Sequence, residues 1–565
     1  MNEYNKLIKN DNNINIVVRR VNTKNRFILK DNQFFSKLII WSTIVIIILI
    51  ILFINMIFVK GQKSNNNDYQ ILNIITQNQT ENNSTGLQNE TKETKEIKNE
   101  ALKIFVNNTL KIFINNNSNL NNNTYKIPEG QDPECNNLDP INIFEIRLKK
   151  NPEILCQSKS STHLCYKNQM NNIFVAKNGL ICKMDNFILD PSKWKDDGYI
   201  YNGPVDKDTR GCPLLSEGFF NMKCDIKNEI KVYAKMYEKY INSWNYNDTE
   251  DKNYEELAPG KTIFFLSRNQ DSPNLYHGGS EFINAFSLMV ILNLNPKDIQ
   301  IIFLESIDLR DNDPLFNLYK YVISGGNTPI YIRDIKEKYH ISSAIHIPIN
   351  WDSPCFILSS VPDCKYPTKT YYLLNKYVQN YMNIPNFIDF NNVDNKTFYY
   401  PKSIHKSNIN TTLNEYKKYV TIQWRRVWPK DRKGQQRILG NGPELAEKLA
   451  EKLPKDIFVR LVDTSKLPLE EQISILQKTD YFVGVHGAGL ILSIFLPYQS
   501  IVHEILPRTN MNGLRLMSSL SGHKTYSDII NADVRNIDNC EYLFFNSNDF
   551  TERVLRHMKE SNLIN

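Results

Sequence analysis

A chain of 565 residues is long enough for roughly three or four domains of about 150 residues each, so a large core survives the removal of any tails. Its 68 Lys+Arg against 61 Asp+Glu leave a net charge of +7. That balance is mild, and it is not gathered into a basic stripe with interleaved aromatics, which argues against nucleic acid as a partner.

Residues 1–37 hold eight basic and three acidic side chains. From Leu38 to Val59 no charge occurs, and only Ser42, Thr43 and Asn55 interrupt an apolar run long enough to cross about 30 Å of hydrocarbon. A cleaved signal peptide would have a shorter apolar core nearer the start, closed by small residues. The basic head places the N-terminus in the cytoplasm, so 38–59 reads as the signal anchor of a single-pass, type II membrane protein. The Asn-x-Ser/Thr acceptors, at Asn78, Asn82, Asn83, Asn89, Asn107, Asn116, Asn122, Asn247, Asn395 and Asn410, all follow this segment. So do all nine cysteines, of which Cys135 is the first. Both asymmetries point to a lumenal, oxidising compartment, Golgi or endoplasmic reticulum.

Residues 60–130, rich in Asn, Thr, Glu and Lys, bury too little apolar surface to offset chain entropy and read as a disordered stem. Residues 131–255 form a cysteine-containing region whose six cysteines are compatible with three bridges of undetermined pairing. Cys355 and Cys364 are close enough in sequence to close a local loop.

Over 256–415 short apolar runs alternate with amphipathic stretches, the pattern of βα units on a parallel sheet. A strand is expected at 262–267, then a loop ending at His277-Gly278-Gly279-Ser280, a helix from Glu281 and a strand at 299–304. A second series fills 416–565. It has strands at 419–425, 457–462 and 481–485, a helix opening at Pro443 with Leu445, Leu449 and Leu453 on one face, and another opening at Pro468. The expected fold is α/β, with two Rossmann-like domains facing a cleft, behind the anchor and stem.

The segment Asp480-Tyr-Phe-Val-Gly-Val-His-Gly-Ala-Gly-Leu490 puts a glycine-flanked loop between a buried strand and a helix start. Gly487 and Gly489 allow close backbone approach to a ligand, His486 adds a side-chain donor, and N–H groups of the helix near Leu490 suit a diphosphate. No zinc-spaced His/Cys cluster, Walker loop or Gly-x-Ser-x-Gly elbow is present. Asp206-Lys-Asp208 and Asp311-Asn-Asp313 match the spacing of a metal-binding Asp-x-Asp, but neither sits on an apolar strand end.

The run Gly484-Val485-His486-Gly487-Ala488-Gly489-Leu490, with Ile494-Phe495-Leu496-Pro497 and Ile501-Val502-His503-Glu504-Ile505, resembles the signature of glycosyltransferase family 61. Arg425-Arg426, Arg437-Ile438-Leu439, Asn441 and Glu444-Leu445 are similar to the family's upstream segment. Asn274-Leu275-Tyr276-His277 with Glu281 is similar to its N-terminal one. The resemblance implies a GT-B-type fold, a UDP-sugar donor carrying xylose or N-acetylglucosamine, inversion at the anomeric carbon, and neither cofactor nor metal. The acceptor would be a glycoprotein or glycan.

In that reading Arg425, Arg426, Arg437 and the loop His486, Gly487, Ala488, Gly489 hold the diphosphate, and Glu504 accepts the ribose hydroxyls. His277 or Glu281 in the other domain is the general base. The chain departs from the family at Ile491-Leu492, where a hydroxyl residue followed by Asn or His is usual. That departure raises a competing reading, a catalytically silent binding or adhesion protein on the same fold.

Overall fold

The structure, a computed structural model, describes residues 132–167, 180–195, 214–228, 240–247, 253–267, 275–304, 313–348, 361–382, 384, 397–401, 416–426, 437–506, 513–537 and 540–564. The expected tail, membrane span and stem lie outside these residues, as do Asp206, Asp208 and Asp311. Among the described residues no helix is long and apolar enough to cross a membrane.

The architecture is mixed α/β with several sheets. Helix α1 (Pro140–Leu148) precedes β1 (Glu153–Gln157), β2 (Thr162–Lys167) and β3 (Leu180–Leu189). Then come β4 (Thr262–Leu266), α2 (Leu275–Ile291), β5 (Ile299–Phe303), β6 (Ile330–Tyr331) and β7 (Tyr339–Ile347). They form one sheet in the order β6-β5-β4-β7-β3-β2-β1. The pairs β5–β6, β4–β5 and β4–β7 are parallel. Strand β5 is buried at every position because both faces of a parallel strand are covered. Beyond β7 the sheet continues antiparallel through β3, β2 and β1.

The sheet therefore runs across the boundary expected at 255, because β3 pairs along its length with β7. Two bridges fall within 131–255 as expected, and a third does not. Cys165–Cys182 links directly paired residues of β2 and β3, and Cys156–Cys224 ties β1 to a neighbouring segment. Cys364 does not close a loop with Cys355: it is bonded to Cys135, 229 residues away. Cys212 and Cys355 lie outside the described residues, and Cys540 is a free thiol.

Helix α3 (Lys369–Tyr381) leads toward the second sheet. Its elements are β8 (Lys418–Gln423), β9 (Arg437–Leu439), α4 (Gly442–Lys452), β10 (Ile457–Val462), α5 (Leu469–Leu476) and β11 (Tyr481–Val485). A 3₁₀ stretch (Ala488–Phe495), β12 (Ile501–Leu506), α6 (Gly513–Leu520) and β13 (Lys524–Ile529) follow. The parallel order is β10-β8-β11-β12-β13. Taken in chain order this is 2-1-3-4-5, which reverses between β8 and β11, and ligands of such sheets sit at that reversal. A three-stranded sheet of β9, β15 (Cys540–Phe545) and β14 (Ala532–Ile537) flanks it, and α7 (Ser547–Glu560) closes the chain. Helix α4 forms as expected: Pro443 sits in its first turn, and Leu445, Ala446 and Leu449 face inward.

One buried apolar cluster joins the two sheets, with Phe286 from α2, Tyr371 from α3, Leu490, Ile491 and Phe495 from the 3₁₀ stretch, and Leu516 from α6. Two expectations change here. The stretch His277–Ser280 is not a loop, since it lies inside α2, and the segment after Gly487 is 3₁₀ rather than α, with Leu490 N–H donating to Gly487 O at 3.0 Å. Packing explains the first difference. A Cβ on Gly279 would stand 2.3 Å from Ile491 Cδ1, so a glycine tolerated in mid-helix lets the 3₁₀ stretch lie close. Ile491 is 3% exposed; it belongs to the core rather than to a phosphate site. Gly279→Val should cost about 1–3 kcal/mol by overpacking, and Ile491→Ala in the same chain should recover part of it. Urea midpoints check this, and additive losses would refute it.

Three buried histidines are neutral. Burial holds His163 and His346 at about 3, with the charge of His346 adding to the effect on His163, and holds His523 at about 4 despite a hydrogen bond to the Ser493 backbone. Unfolded, each titrates near 6.5. Their folded values are depressed, so the native state binds fewer protons, and the stability they carry is complete above about pH 6.5 and lost toward pH 4. The slope is up to about 1.4 kcal/mol per pH unit for each. Urea midpoints should fall between pH 7 and pH 5, less steeply in His523→Gln; a flat profile would contradict neutral burial.

Candidate active site

The reversal between β8 and β11 brings together residues far apart in sequence. Strand β8 ends at Gln423 and leads into Trp424, Arg425 and Arg426. Strand β11 ends at Val485 and leads into His486 and Gly487. Arg425 Nη1 donates to the His486 carbonyl at 2.7 Å, and Arg437 Nη1 donates to the same oxygen at 3.1 Å. Arg437 is held in place by the pairing of β9 with β15, and by Leu439 N–H donating to Arg425 O at 2.8 Å. Two guanidinium groups thus converge on one carbonyl at the lip of the loop.

The loop glycines are set by these side chains. A Cβ on Gly487 would fall 1.5 Å from Arg425 Nη1, and one on Gly489 would fall 2.2 Å from Gln423 Nε2. Gly487 has φ 165°, an extended conformation open to any residue. Close approach, not backbone strain, therefore demands glycine.

His486 Nδ1 lies 2.5 Å from Glu504 Oε1 on the adjacent strand β12. Glu504 is 1% exposed, and its Oε2 is buried without a hydrogen-bond partner among the described residues. The pair fixes the imidazole: Nδ1–H donates to the carboxylate, and Nε2 is the remaining ring nitrogen. The carboxylate that the sequence analysis assigns to the ribose hydroxyls thus already accepts one hydrogen bond within the protein, through Oε1.

Arg426 turns elsewhere. Exposed, it lies 4.4 Å over the Trp424 ring. Its charge also acts on Asp463, whose carboxyl burial raises while the Ser465 hydrogen bond opposes.

His277 and Glu281 stand one turn apart on α2, on the face opposite Gly279. Asn284 continues that face and donates to Pro348 O at 3.0 Å, just past the end of β7. This polar stripe meets the first sheet where its own chain order reverses, between β4 and β7. Asp313, half of one Asp-x-Asp, accepts from Leu315 N–H at 2.9 Å and forms a turn.

Two contributors went unread in the sequence. Gln423, a polar residue ending an apolar strand, lies under both Gly484 and Gly489. Asn441, singled out only for its resemblance, binds the Phe545 backbone through both amide atoms, at 2.8 and 3.1 Å, and so anchors α4 beside β15.

Residues 338–503 match the family model described as Glycosyltransferase 61. That segment belongs to glycosyltransferase family 61. The chain accordingly carries a glycosyltransferase domain. The family 61 match spans β7 to β12, so it includes Arg425, Arg437 and the His486–Gly489 loop; it ends one residue before Glu504 and excludes His277 and Glu281. Comparison with curated proteins finds no match.

Gly487→Ala should displace the Arg425 guanidinium and, if this loop is where the UDP group expected from the sequence binds, weaken that binding about tenfold or more, equivalent to about 1.4 kcal/mol. Titration calorimetry on the purified protein measures it. Unchanged affinity would remove Arg425 from the binding site.

Proposed function

We propose that the chain is an inverting, metal-independent glycosyltransferase of the GT-B type that moves xylose or N-acetylglucosamine from a UDP-sugar to a glycoprotein or glycan. The observation that carries this reading is the convergence of Arg425 and Arg437 on the His486 carbonyl. Two like charges so close repel one another, and a diphosphate entering between them relieves that repulsion and gains bidentate contacts. A departing nucleoside diphosphate develops negative charge that guanidinium groups and loop N–H groups can meet without an ion. His486, oriented by Glu504, adds a further donor when protonated at Nε2, and the second Glu504 oxygen is left to accept one ribose hydroxyl.

Inversion by direct displacement needs a base on the far side of the sugar. The α2 stripe at the other sheet's reversal supplies the candidates. His277 is half-buried and Glu281 is 2% exposed, so His277 is the group an acceptor hydroxyl reaches. The silent-binder reading rests on Ile491-Leu492; both side chains are buried in the apolar cluster, and turnover decides between that reading and the enzyme. The 38–59 anchor and the sequons support residence as a type II protein of the Golgi membrane, with the endoplasmic reticulum as the alternative; Asn247, the one acceptor among the described residues, is exposed.

The test is UDP release from UDP-xylose and UDP-N-acetylglucosamine with a glycan panel, with and without added Mn²⁺. Turnover without Mn²⁺ is expected, and His277→Ala should lower it by about 10²–10⁴ while UDP still binds. Dependence on Mn²⁺ would overturn the metal-independent reading. Full turnover in a His277→Ala/Glu281→Gln chain would remove both as base.

A further inference from the structure

Strand β12 carries two polar side chains in succession, and successive side chains of a strand face opposite ways. Glu504 turns to the His486 loop. His503 turns to the other face, beneath α7, where it meets Asp528 of β13 and His557 of α7. His503 Nε2 is 3.2 Å and His557 Nε2 is 3.3 Å from Asp528 Oδ2. All three atoms lie within 4.8 Å of one another. His503 and His557 are 0% and 3% exposed. We propose that His503, Asp528 and His557 bind a divalent transition-metal ion of the zinc type, which ties α7 and β13 to the second sheet.

The geometry fits. A tetrahedral ion with bonds of about 2.0–2.1 Å holds its ligand atoms about 3.3 Å apart, the spacing found between each imidazole nitrogen and the carboxylate oxygen. Two imidazoles and one carboxylate are a donor set suited to zinc. The rings are oriented from behind: both Nδ1 atoms face the Tyr481 hydroxyl, at 3.0 Å from His503 and 3.3 Å from His557. Each Nδ1–H can donate to a lone pair of that oxygen, which turns both Nε2 lone pairs toward Asp528, the arrangement that metal-bound histidines take from their outer partners. Tyr526 stacks on His557 with ring centroids 3.9 Å apart and fixes its plane.

Arg556 Nη2 also lies 3.4 Å from His557 Nε2, a contact that a bound ion would replace. Arg553 and Arg556 approach the other carboxylate oxygen, Oδ1, at 3.6 and 3.7 Å. Each also has a carboxylate of its own, Asp549 at 2.9 Å and Glu560 at 3.9 Å.

The full-length chain, purified in detergent without a polyhistidine tag and dialysed against buffered micromolar zinc, should hold about one zinc per chain by elemental mass spectrometry. His557→Ala and Asp528→Asn should lose it, and His523→Gln, another buried histidine, should keep it. After chelation, added zinc should raise the wild-type melting temperature and leave that of Asp528→Asn unmoved, and Co²⁺ should give tetrahedral visible bands in wild type alone. If the variants fail to fold, the wild-type titration still decides. Zinc below about a tenth per chain with no thermal response, or zinc retained by folded His557→Ala, would overturn the proposal. None of these readouts uses sugar transfer, so the outcome is separate from that of the proposed activity.

Discussion

Helix α2 and the 3₁₀ stretch Ala488–Phe495 can lie against each other only because residue 279 has no side chain, and that contact positions everything else. Ile491 fills the space where a Cβ would stand, and the apolar cluster around it spans helices from both sheets. Interfaces of this kind resist relative motion, whereas smaller and more polar ones permit it. The polar stripe of α2 and the glycine loop are thereby held at a set separation, each beside the reversal point of its own sheet. Closure around a ligand would fall to loops, not to rotation of one sheet against the other.

The anion site proposed on the second sheet would need little covalent specialisation. Its parts are one carbonyl, two arginines and two missing side chains. The carbonyl of His486 gives the guanidinium groups a fixed rest position, and the glycines leave the space those groups occupy. The His486–Glu504 pair then sets the orientation of the imidazole at the loop. Such preorganisation is what the proposed diphosphate binding would draw on.

Much of this frame was legible from periodicity. The strands at 457–462 and 481–485 and the helices opening at Pro443 and Pro468 carry apolar faces that local patterning reveals. What escaped was decided by partners distant in sequence. The beginning of α2 was misread because Gly278-Gly279 signals a turn until Ile491 is seen against it. The boundary at 255 was misplaced because an antiparallel pairing of β3 with β7 leaves no local mark. The commitment of Glu504 to His486, the support from Gln423, and the meeting of His503, Asp528 and His557 all depend on strand order, which a single sequence does not state.

The bond between Cys135 and Cys364 has a consequence for biosynthesis. Its halves are 229 residues apart, so at about 5–20 residues per second the first thiol leaves the ribosome roughly ten to fifty seconds before its partner. Cys165 and Cys182, 17 apart, pair early, and strand β7, which completes the first sheet, also emerges late. Through that interval Cys135 meets the six cysteines that lie between it and Cys364 as wrong partners. In an oxidising compartment, maturation of this chain should therefore lean on disulfide isomerases, and the pace of translation would set how long Cys135 waits for its partner.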